Sequence, residues 1–92
     1  MSTADEIIAE CTALQELLLA KNAKYGDSAF NSGIMFNVPP ITAIKARIND
    51  KISRIVQNEV TGEADVDDCT KDLLGYLILL RIAEKRENIS KI

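Results

Sequence analysis

The stretch from residue 73 to residue 82 constrains this chain most, because it is apolar on nearly every side of a helix. It reads Leu-Leu-Gly-Tyr-Leu-Ile-Leu-Leu-Arg-Ile and holds one charged residue. A helix that is apolar all round is buried, either at the centre of a fold or between chains of an assembly. The near-apolar run Leu73–Leu80 is too short for a bilayer, which takes about 20 residues to cross. We therefore expect a central helix and no association with a membrane.

Helical periodicity predicts three helices. The first runs from Ala4 to Lys24, with Thr3 as N-cap and Glu6 completing a capping box. The second runs from Ile41 to Asn58, and the third from the N-cap Asp65 to Asn88. Their apolar stripes are Ile7, Cys11, Leu14 and Leu18; Ile41, Ile44, Ile48, Ile52 and Ile55; and Val66, Cys69, Leu73, Tyr76, Leu77 and Leu80.

These elements predict a single all-α domain over residues 1–92, a small three-to-four-helix bundle. A long ordered loop from Tyr25 to Pro40 joins helices one and two, and its sequence allows a short helical turn near Ala29. Helix one has apolar residues off its main stripe, which predicts two neighbours. Two helices can hardly cover helix three, and a large bare apolar patch favours aggregation. We therefore expect a homo-oligomer, a dimer or larger.

Composition excludes several classes of protein. A hydrophobic share of 47% and a charged share of 27% exclude a disordered chain. A net charge of −3 and only 4% aromatic residues argue against a nucleic-acid binder. The chain has no His, the commonest zinc ligand and general base. Cys11 and Cys69 lie on apolar helical faces, so we expect two buried, reduced thiols. These thiols and the acidic N-terminus, unlike that of a signal peptide, favour a cytoplasmic protein.

Charged residues border the apolar stripes. Asp65, Asp68 and Asp72 share one face of helix three, and Asp72 lies where that face becomes apolar. The first two suit a helix N-terminus, whereas a partly buried Asp72 needs an Arg, a Lys or a metal ion as partner. On helix one, Glu6 and Glu10 form a second pair of carboxylates.

The edge of the isoleucine stripe on helix two is cationic. It carries Arg47, Lys51 and Arg54, while Asp50 is placed to pair with Arg54. This strip is either a solvated face, a partner for the acidic strip of helix three, or a phosphate contact. We expect Asp50, Asp72, Arg47, Lys51 and Lys24 to converge near one pocket bounded by the Tyr25–Pro40 loop.

Three segments resemble a known family. They are Lys21–Phe30 (KNAKYGDSAF), Arg47–Ile55 (RINDKISRI) and Asp68–Tyr76 (DCTKDLLGY). Their order and spacing resemble the nucleotide modification associated domain 1 family, whose members are small and mostly phage-encoded. That family is in turn distantly similar to all-α, MazG-like nucleoside triphosphate pyrophosphohydrolases, which hold Mg²⁺ with paired carboxylates on two helices. The spacing of those pairs is not reproduced by Glu6 and Glu10 or by Asp68 and Asp72.

The resemblance implies a nucleotide ligand. In the first hypothesis a phage-type protein in the host cytoplasm sequesters a signalling nucleotide, an immune-evasion role, without catalysis. The second is a Mg²⁺-dependent pyrophosphohydrolase, and the third is a structural subunit whose charges pair only with each other. The candidate ligand-binding residues are Lys24, Tyr25, Asn31, Arg47, Lys51 and Arg54, and the candidate Mg²⁺ ligands are Glu10, Asp50, Asp68 and Asp72.

Overall fold

A computed structural model of the chain describes residues 2–30, 38–61 and 66–91. These ranges form three helices, α1 (Thr3–Tyr25), α2 (Pro40–Thr61) and α3 (Val66–Lys91), and no strand. A 3-10 turn over Ser28–Phe30 follows α1. The all-α prediction and the helical turn near Ala29 are confirmed. Helix ends differ from the predicted ones by one to three residues. Residues 31–37 of the predicted loop, with the candidate ligand residue Asn31, and the predicted N-cap Asp65 lie outside the described residues.

The start of α1 corrects the predicted cap. Ser2 is the N-cap, with extended backbone dihedrals (φ −80°, ψ 162°). Its hydroxyl accepts a hydrogen bond from the Asp5 backbone N–H at 3.1 Å, and Asp5 accepts one from the Ser2 N–H at 3.4 Å. Thr3 already belongs to the helix. Two overlapping segments, Ser2–Asp5 and Thr3–Glu6, fit the capping-box pattern, and the helix uses the earlier one.

The end of α1 is fixed by a turn built from the first family-like segment. Gly26 has φ +63°, a conformation that favours glycine, and its N–H donates to the Asn22 carbonyl at 2.7 Å. The Asn22 side-chain amide donates to the Gly26 carbonyl and to an Asp27 carboxylate oxygen, both at 3.1 Å. Asn22, Gly26 and Asp27 therefore have a structural role in ending the helix.

The most extensive packing in the chain joins α2 to α3. They run antiparallel, because Lys51 meets Asp72 while Ile41 and Ala83 line the same cleft further along. Ile44 is buried on α2, and Cys69 and Ala83 are buried on α3. The three isoleucines Ile41, Ile48 and Ile55 are half-buried. The predicted isoleucine stripe is thus the face that α2 turns to α3, although its member Ile52 remains 47% exposed.

Helix α1 is packed very differently. None of its residues is buried, and every residue from 2 to 13 is exposed. It touches α3 where Leu14, Leu17 and Leu18 are half-buried. A Cβ on Gly75 would lie 2.9 Å from the Leu18 Cδ2 atom, so the two helices approach closely there. The second neighbour predicted for α1 is not found as an extensive contact within the described part of the chain.

The weak packing of α1 corrects the prediction for one thiol. Cys69 is buried as expected, but Cys11 is exposed. The contact with α3 begins at Leu14, and Cys11 lies on the same side of α1 but about one turn earlier, in the stretch from residue 2 to residue 13 that is exposed throughout. A helical apolar pattern predicts which residues share a face, but not whether the same chain covers that face.

The chain is also more open than a compact domain. Its radius of gyration is 15.2 Å, against about 12 Å expected for this length. It exposes 7176 Å², whereas a compact monomer of its mass exposes about 5300 Å². Among the described residues, no helix has the length and apolar character that crossing a membrane requires.

Candidate functional site

Two lysines from different helices meet one carboxylate on α3. The Lys21 Nζ atom lies 3.1 Å from Asp72 Oδ1, and the Lys51 Nζ atom lies 3.2 Å from Asp72 Oδ2. The side chains of Lys51 and Asp72 are only 16% and 29% exposed, whereas that of Lys21 is 48% exposed. Asp72 therefore links all three helices. The predicted facing of the cationic strip of α2 and the acidic strip of α3 is present at this pair.

Electrostatics keep Asp72 ionised. Partial burial acts to raise the pKa of its carboxyl, but the hydrogen bonds from Lys21 and Lys51 and their positive charges act the other way and prevail. The pKa of Asp72 is therefore below its ordinary value. Two ammonium groups against one carboxylate give this triad one net positive charge, and an ammonium group binds an anion through charge-assisted hydrogen bonds. The neighbouring Glu10, Asp68 and Lys71 bring the local sum of charges to zero.

A groove of 440 Å³ between α1 and α3 adjoins this triad. Aliphatic and charged residues line it together. The aliphatic residues are Ala13, Leu14, Leu17 and Leu74, and the charged ones are Glu10, Lys21, Asp68, Lys71 and Asp72. Apolar walls with a few polar groups are typical of sites for small organic ligands. Lys21 belongs to the triad and also lines the groove. A ligand with one anionic group and one apolar part would therefore contact both.

Three of the four candidate Mg²⁺ ligands line this groove, namely Glu10, Asp68 and Asp72. The fourth, Asp50, lies elsewhere and forms an ion pair with Arg54, whose Nε atom is 3.3 Å from Asp50 Oδ2, as its spacing predicted. No three acidic or thiol side chains among the described residues lie close enough together to hold a metal ion. The carboxylates therefore border one groove without forming a closed metal cage.

The remaining candidate ligand residues are dispersed. Lys24 lies over the ring of Tyr25, with its Nζ atom 5.2 Å from the ring centroid. Arg47 is exposed on α2, and Arg54 is occupied by Asp50. Of the five residues expected to converge, Lys51 and Asp72 are the two that meet in an ion pair.

A second cleft, of 580 Å³, lies against the residues that connect α1 to α2. The 3-10 turn and the start of α2 form one wall, and the C-terminal part of α3 forms the other. The Arg86 guanidinium carbon lies 4.4 Å from the Phe30 ring centroid, which joins the two walls. The connection thus borders a cleft as expected, but Lys24, Arg47, Lys51, Asp50 and Asp72 do not line it.

Lys21 is the main residue that the sequence did not single out. It begins the first family-like segment and lies on the same edge of α1 as Glu10. Its role depends on where α1 meets α3, which is at Gly75. A glycine inside an otherwise well-formed helical pattern indicates close approach of a neighbour. Gly75, one turn from Asp72 on α3, was the available signal.

Comparison with known proteins gives no information on function, so the proposals below depend on the geometry of the site. No protein-family model matches the sequence, and neither a curated protein nor a solved structure is significantly similar to the chain.

Proposed function

We propose that this chain is a nucleotide-binding protein of the phage type, which sequesters its ligand as a homo-oligomer and without catalysis. The observation that carries the proposal is the contact of Lys21 and Lys51 with one carboxylate at the edge of an apolar groove. A phosphate placed beside Lys21 accepts hydrogen bonds from its ammonium group, and the aliphatic residues of the groove contact the nucleoside.

Mg²⁺ fits this proposal as a companion of the nucleotide. In proteins Mg²⁺ typically takes one or two carboxylates and completes its shell with phosphate oxygens and water. Glu10, Asp68 and Asp72 supply carboxylates along the groove, and the phosphates would supply the remaining ligands. No step in this role requires a closed cage of protein carboxylates.

The proposal of a homo-oligomer is supported by the large exposed area of the chain. The chain exposes 7176 Å², about 1900 Å² more than a compact monomer of its mass. A standard interface buries about 800 Å² on each partner. The excess therefore suffices for one or more stable contacts between copies.

The alternative is a Mg²⁺-dependent, MazG-like pyrophosphohydrolase. Its supporting observation is that three carboxylates line the same groove. An ion that activates water at such a site needs carboxylates fixed around it, so this alternative requires Glu10 to approach the acidic residues of α3 when nucleotide binds.

A binding and turnover experiment separates these proposals. Nucleoside mono-, di- and triphosphates and cyclic nucleotides are titrated into the protein by calorimetry with and without Mg²⁺, and pyrophosphate release is measured in parallel. We expect binding without release. Pyrophosphate release supports the enzyme instead, and no binding by any nucleotide rejects both.

Three variants locate the site. Lys51→Ala should abolish binding and Lys21→Ala should weaken it at least about tenfold, because each removes a charge-assisted hydrogen bond. Lys45→Ala, an exposed lysine of the same helix α2, should bind as the wild type does. Circular dichroism checks that each variant remains helical. Equal losses in Lys45→Ala and Lys51→Ala would contradict the proposed site.

A further inference from the structure

The exposed part of α1 has a distinct chemistry. Residues 3–19, which we name the α1 arm, carry four carboxylates and no Lys or Arg. Ile7, Ile8 and Leu19 in the arm are 58%, 64% and 62% exposed, and Cys11 is exposed with them. At 100° per residue these four residues lie within about one third of the helix circumference. The arm thus presents an apolar stripe in an acidic setting.

An exposed helix of this kind requires a partner. Helical stability in proteins comes mainly from packing of an apolar face, and short isolated helices are marginal in water. The first eleven residues of α1, from Thr3 to Ala13, are exposed throughout. The contact of Leu18 with α3 near Gly75 lies beyond them. Another surface must therefore cover the arm.

The side of α3 turned away from α2 has the complementary chemistry. Ile78 and Ile82 lie one turn apart on α3 and are 44% and 36% exposed. They lie on the side of α3 opposite the buried Cys69, and Gly75, which is also buried, faces Leu18 of α1. Arg81 and Lys85 flank them, and these four residues are named the outer face of α3. Glu84, the acidic residue within the stretch from Ile78 to Lys85, lies outside the sector of the helix that these four residues occupy.

We propose that the α1 arm of one copy docks on the outer face of α3 of a second copy. Carboxylates of the arm meet cations of the outer face, and the two aliphatic stripes cover each other. The area supports this occupant, because about 1900 Å² of excess surface per chain exceeds what one standard interface takes from each partner. The inference rests on the proposed homo-oligomer and specifies its interface.

Charge reversal tests the pairing. Variant one is Glu10→Lys/Glu16→Lys in the arm, and variant two is Arg81→Glu/Lys85→Glu on the outer face. In an assembly of either variant alone, the arm and the outer face carry charges of the same sign and repel each other. Light scattering at micromolar concentration should therefore give the 10.1 kDa mass of one chain. An equimolar mixture restores opposite charges at both contacts and should recover the wild-type mass. Lys45→Glu on α2 is the control and should keep that mass.

The outcomes distinguish the two levels of the proposal. A wild-type mass of one chain rejects the homo-oligomer itself. An oligomeric wild type whose two variants keep the full mass rejects only the docking of the arm on the outer face. If variant two alone remains oligomeric while variant one dissociates, the arm pairs with a different surface, such as a second arm, and the inference is wrong. Nucleotide binding is measured separately and does not enter these results.

Discussion

Helices α1 and α2 have 23 and 22 residues and similar numbers of aliphatic side chains, yet their packing differs completely. The isoleucines of α2 form one stripe that faces α3, and Ile44 is only 2% exposed. The aliphatic residues of α1 are spread over two sides, and none is buried. A helix with one apolar stripe can bury it against one neighbour in the same chain, whereas a helix with apolar residues on two sides needs two neighbours. In this protein the second partner of α1 is proposed to be another copy.

The largest expected difference between the two helices comes from truncating an isoleucine. Ile44→Ala should lower the free energy of unfolding by about 2–5 kcal/mol, because it leaves a cavity between α2 and α3. The matched change Ile8→Ala, at a 64% exposed position, should alter the stability of the dissociated chain by less than about 0.5 kcal/mol. Urea denaturation at low protein concentration measures both. Equal losses would show that α1 packs within its own chain.

The ion pair at the centre of the molecule gives the next effect. Asp72→Ala should destabilise the chain by about 1–3 kcal/mol, because Lys51 would remain largely buried without its partner. Lys21→Ala should have less effect, at most about 1 kcal/mol, because Lys21 is half exposed. Lys51→Met should be neutral or stabilising, since an apolar side chain replaces a desolvated charge. Thermal unfolding followed by circular dichroism ranks the three, and a larger loss for Lys21→Ala would contradict this geometry.

The cap of α1 gives a smaller effect that distinguishes two overlapping capping boxes. Ser2→Ala removes the hydroxyl that accepts from Asp5 and should cost about 1 kcal/mol of helix stability. Thr3→Ala should change stability much less, because Thr3 lies inside the helix. Chemical shifts of the first turn, together with denaturation, measure both. The reverse order of effects would restore Thr3 as the cap.

The smallest effect is a dependence of stability on pH. The pKa of Asp72 is lower in the folded chain than in the unfolded one. Its contribution to stability is therefore complete above the unfolded value of about 3.9, and it is lost as the pH falls through the folded pKa. Denaturation midpoints measured between neutral and strongly acidic pH should fall less in Asp72→Asn than in the wild type. Parallel curves for the two proteins would show that Asp72 does not contribute.

Periodicity predicted the helices well, because a helix is a local structure, whereas the predicted cap Thr3 was one residue too late. The three spans follow from apolar spacing, and the facing of Lys51 and Asp72 follows from charges at the edges of two stripes. The partner of Asp72 on α1 did not follow, because the crossing of α1 and α3 depends on a contact between Leu18 and Gly75. The exposure of Cys11 could not be predicted from the sequence either, because an apolar stripe does not show whether the same chain or another copy covers it.

Amide hydrogen exchange at two protein concentrations tests most directly whether a second copy stabilises α1. At high micromolar concentration we expect amides in residues 6–19 to be protected to a similar degree as those in the α2–α3 seam. On dilution below the dissociation constant, the α1 amides should lose protection while those around Ile44 and Cys69 keep theirs. Protection of α1 that is independent of concentration would contradict the account, because the helix would then be stabilised within a single chain.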